Sequence, residues 1–151
     1  MNKKITEVVE TDVVIGAFLF CKFSLLKKLG GFDERFFFYS EETDLCYRLK
    51  KEGGKVIYFP ETSVLHVKAA TVNKNLWFKY LNQSVAQIKF FQKHFNRPEL
   101  IFSLAIHYLG IFVRIPLSFI GGLISLNKEL IWRSYYYLRL LFIYPENKFK
   151  S

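Results

Sequence analysis

Gly30-Gly31-Phe32-Asp33-Glu34-Arg35-Phe36-Phe37-Phe38-Tyr39-Ser40-Glu41-Glu42-Thr43-Asp44-Leu45-Cys46-Tyr47-Arg48-Leu49 holds the densest chemistry of the chain and organises the rest of it. The glycine pair at its start stops a short helix expected over Phe23 to Leu29, because glycine accepts the left-handed conformation that follows a helix end. Ser40 is placed to cap a second helix from Glu41 to about Glu52. Leu45 and Leu49 lie on one face of that helix, and Gly53-Gly54 ends it. Glu41, Glu42 and Asp44 fall in its first turn, where negative charge suits the helix dipole and needs no function to explain it. Glu41 and Asp44 share a face, Glu42 points elsewhere, and Asp44 with Arg48 forms an i, i+4 pair. A glycine-flanked loop, an aromatic wall and clustered carboxylates together favour partial desolvation of a carboxylate, which raises its basicity.

On the N-terminal side, Val13-Val14-Ile15 and Phe18-Leu19-Phe20 flank Gly16-Ala17 and read as a buried strand with a close backbone approach at Gly16. On the C-terminal side, Lys55 to Phe59 is a strand that stops at Pro60, and Val64-Leu65-His66-Val67 is a second short one. Helical spacing runs from about Asn73 to Phe95. An apolar stretch from Leu100 to Leu126 approaches the ~20 residues that cross a bilayer. It carries Arg114 near its middle, at a cost of roughly 2.5–3.5 kcal/mol on insertion, and Pro116, which breaks the backbone ladder. One span and a kinked hairpin of two shorter helices both fit. Ile131 to Tyr144 has the Trp, Tyr and Arg of an interfacial helix. A helical layer over a soluble core is the plainer alternative.

Composition sets the frame. Of 151 residues, 51% are hydrophobic and 23% charged, which excludes a purely disordered chain. Cys21 and Cys46 are far apart and indicate neither a zinc ribbon nor a disulfide framework; both are expected to be small buried groups. The first residues lack a signal-peptide core, so an intracellular, reduced protein is expected. The formal charge is +9. Residues 1–99 carry 16 basic and 11 acidic side chains, and residues 100–151 carry 6 and 2. The second segment is thus basic and apolar at once, which favours an anionic bilayer surface. Nucleic acid is not an expected partner, because the lysines are scattered and the aromatics sit in apolar runs.

Gly-Gly-Phe-Asp-Glu, an aromatic run, Glu-Glu-x-Asp-Leu-Cys-x-Arg, a glycine, then Tyr-Phe-Pro-Glu and a following His resemble the C-terminal half of family-2 glycosyltransferases with a GT-A fold. The nearest group is the rhamnosyltransferase-like enzymes of bacterial polysaccharide assembly, and the resemblance runs from about Val13 to Phe95. It implies an α/β fold, the acceptor-side half of a GT-A domain over residues 1–98, followed by a helical membrane-associating segment over 99–151. The family text at the carboxylates is Glu-Asp-x-Asp, with the second acidic residue as catalytic base. That position is Glu42 here, one methylene longer, with Glu41 and Asp44 beside it.

The resemblance implies transfer of a sugar from a nucleotide-sugar donor to a glycan or lipid-linked acceptor hydroxyl, with inversion. Gly31, Phe32 and Asp33 would shape the acceptor side, Gly16 and Arg48 join the substrate-binding set, and Asp44 with Arg48 would hold the base-bearing helix. His66 is the candidate metal or diphosphate contact, although the text after it departs from the family's glycine-containing loop. His94 and His107 have no clustered partners and read as packing or interfacial residues. A divalent metal, magnesium or manganese, is expected for the complete enzyme, but its Asp-x-Asp motif is absent from this sequence. The chain therefore reads as a transferase fragment, inactive alone, that lacks an N-terminal nucleotide-binding half. The other reading is a non-catalytic, membrane-associated partner module of a transferase. Either would sit at the cytoplasmic face of the bacterial inner membrane, peripherally or through a short integral segment.

Overall fold

A computed structural model describes residues 5–65 and 75–144. The chain divides into two compact units, residues 1–68 and 69–151.

The first unit contains β1 (Val9–Thr11), α1 (Phe23–Lys28), α2 (Glu41–Lys51) and β2 (Val56–Tyr58). β1 and β2 pair antiparallel, with Val9 opposite Tyr58 and Thr11 opposite Val56. Both helices end as their glycines dictate. After α1, the amide of Gly31 donates to Leu26 O at 2.9 Å and that of Gly30 to Lys27 O at 3.1 Å, with both glycines at positive φ. After α2, the amides of Gly54 and Gly53 reach Leu49 O and Lys50 O in the same way, each at 3.0 Å. Phe36, Leu45, Cys46 and Val56 are the buried apolar side chains of this unit.

Two strand expectations are corrected. Val13–Phe20 is irregular rather than a buried strand, with Ile15 78% and Phe20 92% exposed. Strand pairing begins and ends upstream of it, over Val9–Thr11, so its apolar residues have no ladder to join. With Leu25, Leu49 and Val64 they line an open apolar trough of about 890 Å³. Val64 and Leu65 are likewise irregular and exposed, and His66 and Val67 lie outside the described residues.

The second unit is three helices: α3 (Leu76–His94), α4 (Arg97–Ile124) and α5 (Lys128–Leu140). Asn75 caps α3 by accepting from Phe78 N at 2.9 Å. Asn96 and Glu99 form a reciprocal capping box that starts α4 two residues after α3 ends. α4 runs unbroken through Pro116, so of the two arrangements open to the apolar stretch it takes the single helix rather than the kinked hairpin. Proline removes one amide donor, a loss that the remaining ladder of 28 residues absorbs. α4 closes with Asn127 N donating to Gly122 O at 2.9 Å and Leu126 in the left-handed region, φ 52°. α5 follows at once, capped by Asn127.

α5 packs along α4, closely enough that a Cβ on Gly122 would meet Ile131 Cγ1 at 2.6 Å. At the other end of the pair, Tyr108 Oη donates to Ile143 O at 2.9 Å. α3 joins them through polar and aromatic contacts. His107 bridges Ser84 Oγ at 2.9 Å and Gln87 Oε1 at 3.1 Å, the Tyr80 and Tyr137 rings are 5.3 Å apart, and Arg139 lies 4.0 Å over Trp77. These contacts place α3 in the helical unit, whereas the composition change at residue 99 had grouped it with the first. His107 and His94, the latter against Phe90 at 4.7 Å, are packing residues as expected.

Candidate functional site

The first turn of α2 is built under strain. Tyr39 and Ser40 both have left-handed backbones, φ 69° and 67°, a conformation that costs L-residues about 1–2 kcal/mol each. Ser40 occupies the cap position, but its hydroxyl makes no capping bond. The expected serine cap is therefore corrected to a strained turn that redirects the backbone, with Phe36 buried just before it and Phe37 left 80% exposed.

Beyond that turn, Asp44 is completely buried. Its Oδ2 accepts from Arg48 Nε at 2.8 Å. Arg48 Nη2 donates to Gly31 O at 2.8 Å, and Nη1 donates to Leu29 O. The guanidinium thereby ties α2 to the chain reversal after α1. Asp44 pairs with Arg48 and Arg48 bonds the backbone, which fixes the first turns of α2 against the segment after α1. Asp33 is similarly engaged: its two oxygens accept from Arg35 Nε at 2.9 Å and Nη2 at 2.7 Å, and from the Arg35 amide at 3.0 Å. That fork holds the Arg35 guanidinium above its ordinary pKa. Phe32 is exposed beside it.

Glu41 and Glu42 have a different environment. Each is half-buried, and one oxygen of each, Oε2, is buried with no hydrogen-bond partner among the described residues. Burial pushes the Glu41 carboxyl above its ordinary pKa; its own backbone amide opposes this, and the adjacent Glu42 carboxylate adds to the rise. Burial, with the Glu41 charge, also raises the Tyr39 phenol. Gly16 comes to the same place from a distant part of the chain: a Cβ there would lie 3.8 Å from both Cβ and Cδ of Glu42. The structure thus brings Gly16, Glu41 and Glu42 together, with Gly31, Asp44 and Arg48 as their support.

Two adjacent carboxylates with unsatisfied buried oxygens leave acceptor positions that a hydroxyl donor can fill. They do not form a cage for a magnesium-type ion, which takes about six oxygen ligands. No group of three or more His, Cys, Asp or Glu side chains comes together among the described residues, and Asp33 and Asp44 are engaged by arginines. His66 lies outside the described residues. The sequence separates Glu42 from Glu41 on a helical wheel and gives no sign of their pairing. The left-handed Tyr39-Ser40 turn carries no signal either, since neither residue is glycine or asparagine.

Over 60 residues the chain is 42% identical to N-acetylglucosaminyl-diphospho-decaprenol L-rhamnosyltransferase of Mycobacterium tuberculosis, covering 40% of this chain and 20% of that protein. Over 64 residues it is 34% identical to rhamnosyltransferase WbbL of Escherichia coli, covering 40% of this chain and 24% of that protein. The chain spans about a fifth of the length of the curated relatives it matches. No family model matches the chain. No solved structure matches it. Across two-fifths of its length, the chain is similar to rhamnosyltransferases.

Proposed function

We propose that this chain supplies the acceptor side of an inverting, rhamnosyltransferase-like glycosyltransferase of GT-A type, acting at a membrane surface on a glycan or lipid-linked acceptor. The observation that carries the reading is the buried, unpartnered Oε2 of Glu42 next to Gly16 and Glu41. In the proposed reaction the acceptor hydroxyl attacks the anomeric carbon of a nucleotide sugar. The bond to the diphosphate breaks on the opposite face, and Glu42 takes the hydroxyl proton. Asp44 and Arg48 hold α2 so that this carboxylate meets the hydroxyl. The relative from M. tuberculosis is named for a decaprenol-linked substrate, which supports a lipid-linked acceptor here.

In a transferase reconstituted with a nucleotide-binding half, Glu42→Gln lowers turnover by about 10²–10⁴-fold while leaving donor binding unchanged. Retained turnover removes Glu42 from this role.

The apolar trough of the first unit favours a second reading, a module that completes a partner transferase. A two-stranded sheet is marginal by itself, and an exposed apolar hollow of this size is a packing surface for a nucleotide-binding half. This reading predicts stable association with such a protein and no turnover by either component alone.

A further inference from the structure

α4 is long and apolar enough to cross a bilayer, yet its two faces differ between His107 and Gly122. Phe102, Ile106, Leu109, Val113, Leu117, Ile120 and Ile124 recur at spacings of three and four, which puts them on one stripe, and each is 46–81% exposed. The opposite face is covered: His107 by Ser84 and Gln87 of α3, Tyr108 by the end of α5, and Gly122 by Ile131. The covering helices bring charge with them: Lys79, Lys89 and Lys93 on α3, and on α5 Arg133, paired with Glu129, and Arg139, stacked over Trp77. Eight basic and two acidic side chains lie between Asn75 and Tyr144.

We infer that α4 lies in the plane of an anionic bilayer, resting on the Phe102–Ile124 stripe, and does not cross it. A crossing helix would draw α3 and α5, packed on its other face, into the hydrocarbon together with their lysines and arginines. Lying flat, the stripe sinks about 5–10 Å to the boundary of headgroups and acyl chains, and the cations of the covering helices stay near the phosphates. Leu126 gives independent support. It is 87% exposed and left-handed at the turn between α4 and α5, where glycine or asparagine is the ordinary choice. An apolar side chain kept there extends the stripe around the end of the helix. This inference deepens the membrane-surface reading and rests on it.

The test uses the full chain with vesicles of phosphatidylcholine, alone or with one-quarter phosphatidylglycerol. Environment-sensitive fluorophores are placed at Phe102→Cys, Val113→Cys and Ile124→Cys after replacing Cys21 and Cys46, and depth is read by quenching with lipids brominated at different carbons. An in-plane helix gives one shallow depth at all three positions and binds about tenfold more tightly with the anionic lipid. Polarised infrared spectra of the unmodified chain on supported bilayers then show helices parallel to the surface, which keeps the test independent of the substitutions. A deep Val113 between two shallow ends, with helices along the membrane normal, overturns the in-plane assignment and leaves membrane association standing. Equal affinity for both vesicles overturns the anionic partner. A chain that ignores both vesicles, or hides the stripe in a dimer, overturns the membrane reading as well.

Discussion

Arg48 grips Asp44 through Nε at 2.8 Å and spends its other two nitrogens on the carbonyls of Leu29 and Gly31. One guanidinium thus joins α2 to the turn in front of it. Asp44 has no exposed surface, so removing it takes the carboxylate partner from a part-buried guanidinium. Asp44→Ala is expected to destabilise the first unit by about 3–5 kcal/mol, read as a lower midpoint in urea. A loss below 1 kcal/mol would show that the clamp is dispensable.

Glu41 sets a pH dependence whose sign follows from its raised pKa. The folded state holds a proton there that the unfolded chain has already released above its ordinary 4.5. Stability from this group is present below that value and is lost as pH rises through the folded pKa. Glu41→Gln, which cannot ionise, should therefore gain stability over the parent as pH climbs from 4 towards neutrality. Urea midpoints across that range check it, and a constant difference sinks the assignment.

Ser40 separates backbone strain from capping. Because its hydroxyl makes no cap bond, Ser40→Ala should change stability by less than the ~1 kcal/mol of a true cap. Ser40→Gly should raise it by about 0.5–1 kcal/mol, since glycine has no Cβ to clash at positive φ and its larger entropic cost offsets only part of that relief. Thermal unfolding of the two variants distinguishes the cases.

Gly121 and Gly122 are neighbours with opposite expectations. A Cβ on Gly122 meets Ile131 Cγ1 at 2.6 Å and the Ile131 amide nitrogen at 2.9 Å, so Gly122→Ala should cost about 1–3 kcal/mol. Trimming Ile131 to alanine restores only part of that, because the backbone atom remains. At Gly121 the nearest atom is Leu130 Cδ1 at 4.0 Å, and alanine there should be neutral or stabilising through helix propensity. Denaturant midpoints of the two variants measure the contrast.

Local signals in the sequence proved readable, and signals that depend on distant chain did not. Gly30-Gly31 and Gly53-Gly54 end their helices as written, and the Asp44–Arg48 pair follows from helical spacing alone. What Arg48 does with its remaining nitrogens depends on where α1 ends in space, which no spacing encodes. Val9-Glu10-Thr11 pairs as a strand with little apolar pattern, whereas the apolar run after it stays unpaired, because a ladder needs a partner as well as propensity. Adjacent helical positions diverge by about 100°, yet Glu41 and Glu42 interact, because long side chains from the first turn of a helix can still reach each other. Pro116 left one helix and two equally open, and the single helix forms, since the rest of a 28-residue ladder survives the loss of a single donor.

Gly53 and Gly54 stand side by side and would answer a volume series in opposite ways. Around Gly53 there is open space for a Cβ, and only its φ of 78° resists replacement. Alanine, leucine and phenylalanine should therefore incur much the same penalty, a flat response to bulk. At Gly54 the obstacle is matter: Leu49 Cγ would stand 2.8 Å and the Leu49 carbonyl 3.0 Å from the added carbon. There the penalty should climb with each atom, and a smaller residue at position 49 should lower it, so two identical letters in the text are kept by handedness in one case and by crowding in the other.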